Sequence, residues 1–314
     1  MSNETQRVTI VIVNWNVRDL LRACLASVYS HGGLPAEAMK VIVVDNASAD
    51  GSVEMVRAEF PQVLLIDNKD NVGFGKANNQ TLPLCNSPYM LLLNPDTVVE
   101  PGAISTLVRQ MDAQSDVSVI GCRLLNGDRT LQRWTGGAYP RLLNLMNHNF
   151  FLDRMLPASW RPMPLYLDRD VQHDIDVDWV SGACMMLRTD RLDGKLFNTE
   201  YFMYGEDMEL CHRLKQAGGR ILYSPKVSII HYQGESMKKQ EGDVLLSSLK
   251  GPRQFYRQMR GERAVGIYDA VTVAGFGLRW VLYRVGSLFR PGLASKARSS
   301  RDMMNRALAI LRAG

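Results

Sequence analysis

Three short runs of polar residues in this chain have types and spacing suited to chemistry. The apolar run Tyr89-Met90-Leu91-Leu92-Leu93 ends in Asn94-Pro95-Asp96. A proline cannot donate to a sheet ladder, so a buried strand must stop there, with an amide and a carboxylate just past its end. In an open parallel sheet, ligands bind beyond the carboxyl ends of the strands, although Asn-Pro-Asp also spells a simple turn. Glu206-Asp207 opens a second run, in which Leu210, Leu214 and Ala217 form one helical stripe and Gly218-Gly219 stops it. Asp207 lies one turn before Leu210 and so tops the buried stripe instead of facing solvent; two carboxylates in a first turn also suit the helix dipole. His231 ends the apolar run Val227-Ser228-Ile229-Ile230, as a ligand or as a structural histidine.

The segments around these residues set their positions. Val8–Val13 is a β-branched run ending in Asn14-Trp15-Asn16, and Asp19 can cap a helix bearing Leu20, Leu21, Cys24, Leu25 and Val28. The pattern repeats: Val41–Val44 runs into Asp45-Asn46-Ala47-Ser48, a helix follows through Val53, Val56 and Phe60, and a third strand covers Val63–Ile66. Alternating strands and helices predict an α/β protein with a mostly parallel, doubly wound, Rossmann-like sheet. After the third strand comes Asn71-Val72-Gly73-Phe74-Gly75-Lys76, whose glycines permit close backbone approach, either to a ligand or simply into a helix. Pro101-Gly102 opens a further helix and Val117–Gly121 a further strand, after which the pattern loosens from Arg123 to Asp178 around the turn Asn126-Gly127 and Pro157, Pro162 and Pro164. Trp134, Tyr139, Phe150, Phe151 and Trp160 fall there, as an acceptor floor or as pins for a loop-rich segment. The strand over Asp178–Leu187 is interrupted by small residues where another molecule can approach, which makes Trp179, Gly182 and Ala183 candidate acceptor contacts. Ile221–Tyr223 and Val227–Ile230 read as two short strands.

Composition narrows the class. A chain of 314 residues with 46% hydrophobic content buries a sizeable core, and a net charge of +5 is too diffuse for a nucleic-acid binder. Five widely spaced cysteines without Cys-x-x-Cys suggest neither a disulfide framework nor a zinc site, and point to a reducing compartment. The polar Met1–Arg7 runs directly into a strand, so no signal peptide is expected. No stretch reaches about 18 uncharged apolar residues, so no spanning helix is expected either.

Taken together the motifs resemble those of the family-two inverting glycosyltransferases with the nucleotide-sugar-binding A-type fold, and within them the rhamnosyltransferase-like branch. The resemblance runs from about Val8 to Ser236. It rests on Val13-Asn14-Trp15-Asn16, Val44-Asp45-Asn46-Ala47-Ser48-x-Asp50-Gly51-Ser52, Asn71-x-Gly73-Phe74-Gly75-x-Ala77-Asn78, Leu93-Asn94-Pro95-Asp96, Gly182-Ala183, Glu206-Asp207-x-Glu209-Leu210-Cys211-x-Arg213 and His231-x-x-Gly234-x-Ser236. It implies a nucleotide-diphospho-sugar donor bound by Asn14, Asn16, Asp45, Asn71, Gly73, Phe74, Lys76, Asn94 and Asp96. It implies Asp207 as the catalytic base with Glu206 beside it, and Mg2+ or Mn2+ held by Asp96, His231 and Asn94. Asn94 stands where many relatives carry the first aspartate of the metal motif, so one ligand here brings no charge. Asn-Pro-Asp is common in the rhamnosyl branch and favours dTDP-rhamnose as donor, with a lipid-linked saccharide as acceptor. Lys238 and Lys239 follow His231, over the diphosphate or simply in solvent. A sugar-nucleotide nucleotidyltransferase and a non-catalytic sugar-nucleotide or partner-binding subunit are the competing readings.

The expected division is a catalytic domain over residues 1–245, with a donor half to about 122 and an acceptor half beyond, and a basic amphipathic helical tail over 246–314. In that tail Ile267, Val271, Ala274, Leu278, Val281, Leu282, Val285 and Leu288 recur at helical spacing, with Arg279, Arg284 and Ser287 opposite. Such a helix, with Trp280, Tyr283 and trailing Arg290, Lys296, Arg298 and Arg301, suits the anionic inner face of a cell membrane, which places the protein in the cytoplasm as a peripheral enzyme. Packing on the catalytic body or on a second subunit is the alternative. Ser299 or Ser300 is expected to cap a last helix that would suit a homodimer.

Overall fold

The alternating pattern becomes twenty helices and strands in a computed structural model that describes residues 6–157, 160–201, 204–232 and 244–313. In chain order they are β1 (Val8–Asn14), α1 (Arg18–His31), β2 (Met39–Asn46), α2 (Ser52–Glu59), β3 (Leu64–Asn68), α3 (Phe74–Asn79), β4 (Tyr89–Leu93), β5 (Thr97–Val99), α4 (Ala103–Ala113), β6 (Val117–Leu125), β7 (Gly136–Gly137), α5 (Leu142–Phe150), β8 (Ile175–Asp176), β9 (Trp179–Val180), β10 (Cys184–Arg188), α6 (Glu206–Gln216), β11 (Arg220–His231), α7 (Val244–Arg260), α8 (Glu262–Gly286) and α9 (Leu293–Ala313). The chain divides into two units, residues 1–137 with 166–241 and residues 138–165 with 242–314. This differs from the expected break at 245, because 138–165 goes with the tail.

The first unit holds a nine-stranded mixed sheet ordered β3-β2-β1-β4-β10-β6-β11-β5, with β8 on β11. The half β3-β2-β1-β4 is parallel throughout. β1, β2 and β4 are buried on both faces, while the edge strand β3 is partly exposed: Val8, Ile10 and Ile12 pack with Leu21, Cys24, Leu25 and Val28 of α1, and Ile42 and Val44 pack on Ala77 of α3. Two-sided burial is why these strands read as unbroken apolar runs. Strand β10 enters antiparallel between β4 and β6, and β5 and β8 pair antiparallel with β11.

Several local expectations change. Asp19 does not cap α1; it pairs with Arg18 and Arg22 at 3.0 and 2.7 Å, while Asp50 from the next loop accepts the Arg18 amide at 2.8 Å. The two short strands after α6 are one strand, β11, whose register against β6 shifts between Ser224 and Ser228. That irregularity is what lets Pro225 sit inside a paired strand.

The second unit contains α5, which the loosened pattern concealed, together with α7, α8 and α9. Leu145, Tyr256 and Tyr268 form its small core. Of the polar face expected on α8, Arg279 is turned inward, donating to Asn149 and to the His148 carbonyl, while Arg284 stays exposed; Asp269 is also inward, gripped by Arg253 of α7 at 2.8 and 2.9 Å. Polar groups can be buried there because they are paired. α8 is also long and apolar enough to cross a membrane by length and composition, which the search for an uncharged run missed because Asp269 and Arg279 interrupt it. Ser299 and Ser300 lie inside α9, which begins earlier, at Leu293.

Candidate active site

The carboxyl ends of β1, β2 and β4 share one edge of the sheet, and Asn14, Asp45 and Asn94 stand on it. Asn94 is fixed by the backbone: its amide donates to the Ala183 carbonyl at 3.0 Å, and Thr97 donates to its carbonyl at 2.7 Å. Pairing of β5 with β11 then brings His231 opposite Thr97. The result is a corner in which His231 Nε2 lies 3.2 Å from Asp96 Oδ1 and 3.3 Å from Asn94 Nδ2. Asp96 and His231 are buried.

Gln132, which the sequence did not single out, orients this corner. Its amide nitrogen donates to Asn126 Oδ1 and to the His231 carbonyl, both at 3.2 Å, so its oxygen is the atom that meets His231 Nδ1 at 2.7 Å. An amide oxygen only accepts, so Nδ1 carries the proton and Nε2 faces Asp96 and Asn94. The 3.2 Å separation suits adjacent ligands on a small divalent cation with bonds of about 2.1 Å. A carboxylate and an imidazole suit Mg2+ or Mn2+, the imidazole favouring the softer Mn2+, and Asn94 would join them through its oxygen only with its amide turned over, since its nitrogen is the atom that faces His231. Among the described residues no group of three His, Cys, Asp or Glu side chains gathers that could hold a metal ion.

The nucleotide-side residues form a clasp between two loops. Asn14 donates to Asp45 Oδ1 at 2.7 Å and to Ser48 at 3.1 Å, the Ser48 amide donates to Asp45 Oδ2 at 2.8 Å, and Asn16 Oδ1 accepts the Ala49 amide at 2.7 Å. Ser48 also accepts the Asn16 amide at 2.8 Å, which makes it a fourth member of the clasp. Asn16 and Ala47 hold left-handed φ of 56° and 61°, backbone strain that this network sustains. Asp45 is fully engaged inside the clasp, and Asn14 Oδ1 is buried without a hydrogen-bond partner.

In the third loop Asn71 Oδ1 accepts the Gly73 amide at 3.0 Å, and Gly73 takes φ 84°, open to glycine but strained for other residues. Lys76 is exposed, and the Phe74 ring packs 5.5 Å from that of Phe197. Phe74 also faces Gly182, where a Cβ would touch its ring at 3.6 Å. Asn79, unremarked in the sequence, locks this loop by exchanging hydrogen bonds of 2.9 and 2.8 Å with the Phe197 backbone.

Glu206 and Asp207 open α6 after Tyr204 and Gly205, both at positive φ. Arg213, one face of the helix away, donates to the carbonyls of Lys195 and Leu196 and so anchors α6 to the preceding segment. Burial pushes both carboxyls up. Asp207 reaches about 6, with amides of Met208 and Gly182 drawing it back down. Glu206 rises further, from burial and then from its charged neighbour, and its Oε2 lacks a hydrogen-bond partner. Burial raises both, so the pair gives up its protons at higher pH than ordinary carboxylates do.

The segment Ser181-Gly182-Ala183 joins these parts: Ala183 holds Asn94, the Gly182 amide meets Asp207, and Phe74 lies against Gly182. Trp179, Gly182 and Ala183 are themselves buried, so their contribution is to the walls and backbone. Trp134, at φ 66° and 62% exposed, stands in a row with Tyr166 and Trp179 at 6.2 and 5.9 Å. Burial raises the Tyr166 hydroxyl, and the charge of Asp207 adds to that. Lys238, Lys239, Gly234 and Ser236 lie outside the described residues.

Comparison with known proteins gives the chain's family and fold. Residues 9–193 match the family described as Glycosyl transferase family 2. The chain is 25% identical over 237 residues to an N-acetylglucosaminyl-diphospho-decaprenol L-rhamnosyltransferase of Mycobacterium tuberculosis, covering 69% of this chain and 74% of that one. It is 28% identical over 220 residues to the rhamnosyltransferase WbbL of Escherichia coli, covering 60% and 77%. Among solved structures, the mannosyltransferase PcManGT from Pyrobaculum calidifontis, in complex with GDP-Man and Mn2+, superposes with a TM-score of 0.53 at 15% identity, over 98% of this chain and 88% of that one. GalNAc-T7 with UDP, GalNAc and Mn2+ gives 0.54 at 14% identity, over 82% and 51%. At such identities the superpositions speak for the A-type glycosyltransferase fold alone. With residues 9–193, more than half of its length, matched, the chain belongs to glycosyltransferase family 2.

Proposed function

We infer that this protein is an inverting glycosyltransferase of cell-surface polysaccharide assembly. It moves a sugar, with rhamnose from dTDP-rhamnose as the favoured donor, onto a lipid-linked saccharide at the cytoplasmic face of the membrane. The observation that carries the reading is the Gly182-Ala183 crossing, which ties the Asn94–Asp96–His231 corner and the Asp207 carboxylate to adjacent backbone groups. A diphosphate leaving group and a base for the acceptor hydroxyl are the two requirements of a single displacement at an anomeric carbon. Both are met within a few residues. The preference for rhamnose is supported by Asn-Pro-Asp and by the two relatives being rhamnosyltransferases.

In the reaction, Asp207 takes the proton of the acceptor hydroxyl as that oxygen bonds to the anomeric carbon. The bond from that carbon to the diphosphate oxygen breaks, its electron pair leaves with the diphosphate, and the configuration inverts. Burial raises the Asp207 carboxyl, which makes its carboxylate more basic than an ordinary one and better able to accept a proton as the hydroxyl attacks. Asn14, Asn16, Asp45 and Ser48 shape the nucleobase side, and the Asn71–Lys76 loop the sugar-diphosphate side. Trp134 and Tyr166 offer flat faces to the acceptor sugar. A divalent cation, held by Asp96, His231 and the Asn94 oxygen, would supply positive charge to the departing diphosphate.

The test is transfer from dTDP-rhamnose to a polyprenyl-diphosphate-linked amino sugar, read by product mass, with the anomeric configuration read by NMR. The wild type is expected to give an inverted linkage, and Asp207→Asn to lose roughly 10²–10⁴-fold in kcat while still binding donor nucleotide. Retention of configuration, or an Asp207→Asn variant with full kcat, would defeat the assignment.

A further inference from the structure

The second unit exposes apolar side chains where a water-facing surface would be polar. Of the sixteen large apolar side chains exposed among the described residues, thirteen belong to this unit. Its sequence also carries sixteen Lys and Arg against five Asp and Glu, +11, while the rest of the chain carries 21 against 27, −6. Surface apolar residues scattered singly need no explanation, but a concentration on one strongly basic unit does.

The geometry orders these side chains. On α8 the inward side holds Val265, Tyr268, Asp269, Thr272 and Gly275, and a Cβ at Gly275 would overlap Asn149 of α5. The outward side is Ile267, Ala270, Ala274, Val281, Leu282 and Val285, a stripe at helical spacing that continues into Leu288 and Phe289, the last 80% exposed. The Phe151 ring takes the guanidinium groups of Arg279 and Arg154 at 5.0 and 4.5 Å, which fixes the end of α5 beside the later turns of α8. From there Met155 and Trp160 project at 82% and 74% exposure. Exposed Arg154, Arg161, Arg284, Arg290, Lys296 and Arg298 are interspersed with them.

We propose that α8 and the 142–160 segment together form an interfacial docking surface for a bilayer rich in anionic phospholipid. The apolar stripe enters the boundary between headgroups and acyl chains, and the arginines and lysines meet the lipid phosphates. Charge selects this occupant over a second copy of the chain, because two faces of +11 units repel while an anionic bilayer neutralises each. The inward polar groups select lying over crossing. A spanning α8 would carry Asp269 and Arg279 into hydrocarbon away from Arg253 and Asn149, or drag those partners with it. The docking surface goes beyond the catalytic reading and stands without it, since binding to vesicles needs neither donor nor acceptor.

The full chain should sediment with phosphatidylcholine vesicles containing about a third phosphatidylglycerol, bind pure phosphatidylcholine more weakly, and come off the membrane under alkaline wash. The pairs Leu282→Glu with Val285→Glu, and Leu143→Glu with Met155→Glu, should each cut partitioning by at least roughly tenfold with thermal unfolding unchanged, because all four side chains are exposed. The proposal fails if the wild type binds neither vesicle or if both double variants bind as the wild type does. It also fails if the protein resists alkaline extraction, the behaviour of a spanning helix, or forms dimers that the same substitutions dissolve without any vesicle binding.

Discussion

His231 acts through the atom that Gln132 leaves to it. With Nδ1–H committed to the Gln132 oxygen at 2.7 Å, the imidazole presents Nε2 to Asp96 and Asn94 without searching rotamers or tautomers. Replacing Gln132 by Leu removes that acceptor and leaves the carboxylate and amide in place. The variant should need roughly 10–100-fold more Mn2+ for half-maximal activity, and should bind nucleotide as the wild type does at saturating Mn2+. An unchanged metal titration would leave Gln132 a purely structural residue. Glu206 makes a different demand, because burial raises its carboxyl in the folded state above the value of about 4.5 that it has when unfolded. The folded protein then holds a proton that the unfolded chain gives up, so stability is lost as pH rises above that range. Glu206→Gln stays neutral throughout. It should match the wild type near pH 4.5 and exceed it at pH 8 by at least about 1 kcal/mol, or about 2–4 °C in Tm. A difference that does not grow with pH would place the proton elsewhere. The carboxylates, Asn94 and His231 were legible in the sequence because strand ends and a helix start announce them. Gln132, Ser48 and Tyr166 were not, since their roles come from residues distant in the chain.

At the scale of elements, the parallel half of the sheet was legible because strands buried on both faces are unbroken apolar runs, punctuated by polar loops. Strand β10 was read as a strand, but nothing in its composition reveals that it inserts antiparallel between β4 and β6. The close approach of β9 to β6 depends on Gly121 of β6, where a Cβ would stand 2.5 Å from the Val180 Cβ of β9. Gly121→Ala should therefore destabilise the protein by about 1–3 kcal/mol, measured by denaturant unfolding, and Val180→Ala, which removes the two Cγ atoms but keeps the Cβ, should recover only part of the loss in the double variant. Additive losses in that cycle would show that the two strands are not in competition for this space. Helix α8 teaches the complementary lesson. Its periodicity gave an apolar stripe, yet periodicity cannot say which side is covered. Asp269 and Arg279 turn inward because Arg253 and Asn149 are there to receive them, and those partners lie 16 and 130 residues away.

At the scale of the whole molecule, the chain joins an acidic unit that carries the candidate site to a basic unit that carries the exposed apolar residues. The net charge of +5 conceals this opposition, which emerges only once 138–165 is grouped with the C-terminal helices. The central claim is that the acidic unit binds a nucleotide sugar through its strand-end clasp and Asn94–Asp96–His231 corner. Thermal unfolding of the full chain with dTDP, UDP or GDP, each with and without Mn2+, tests it most directly. A ligand at 100 times its Kd stabilises the native state by about 2.7 kcal/mol, a shift of several degrees. The account predicts such a shift for one nucleotide, dTDP foremost, only with metal present, and its loss in Asp96→Ala. No shift with any nucleotide at concentrations well above the millimolar range would contradict it.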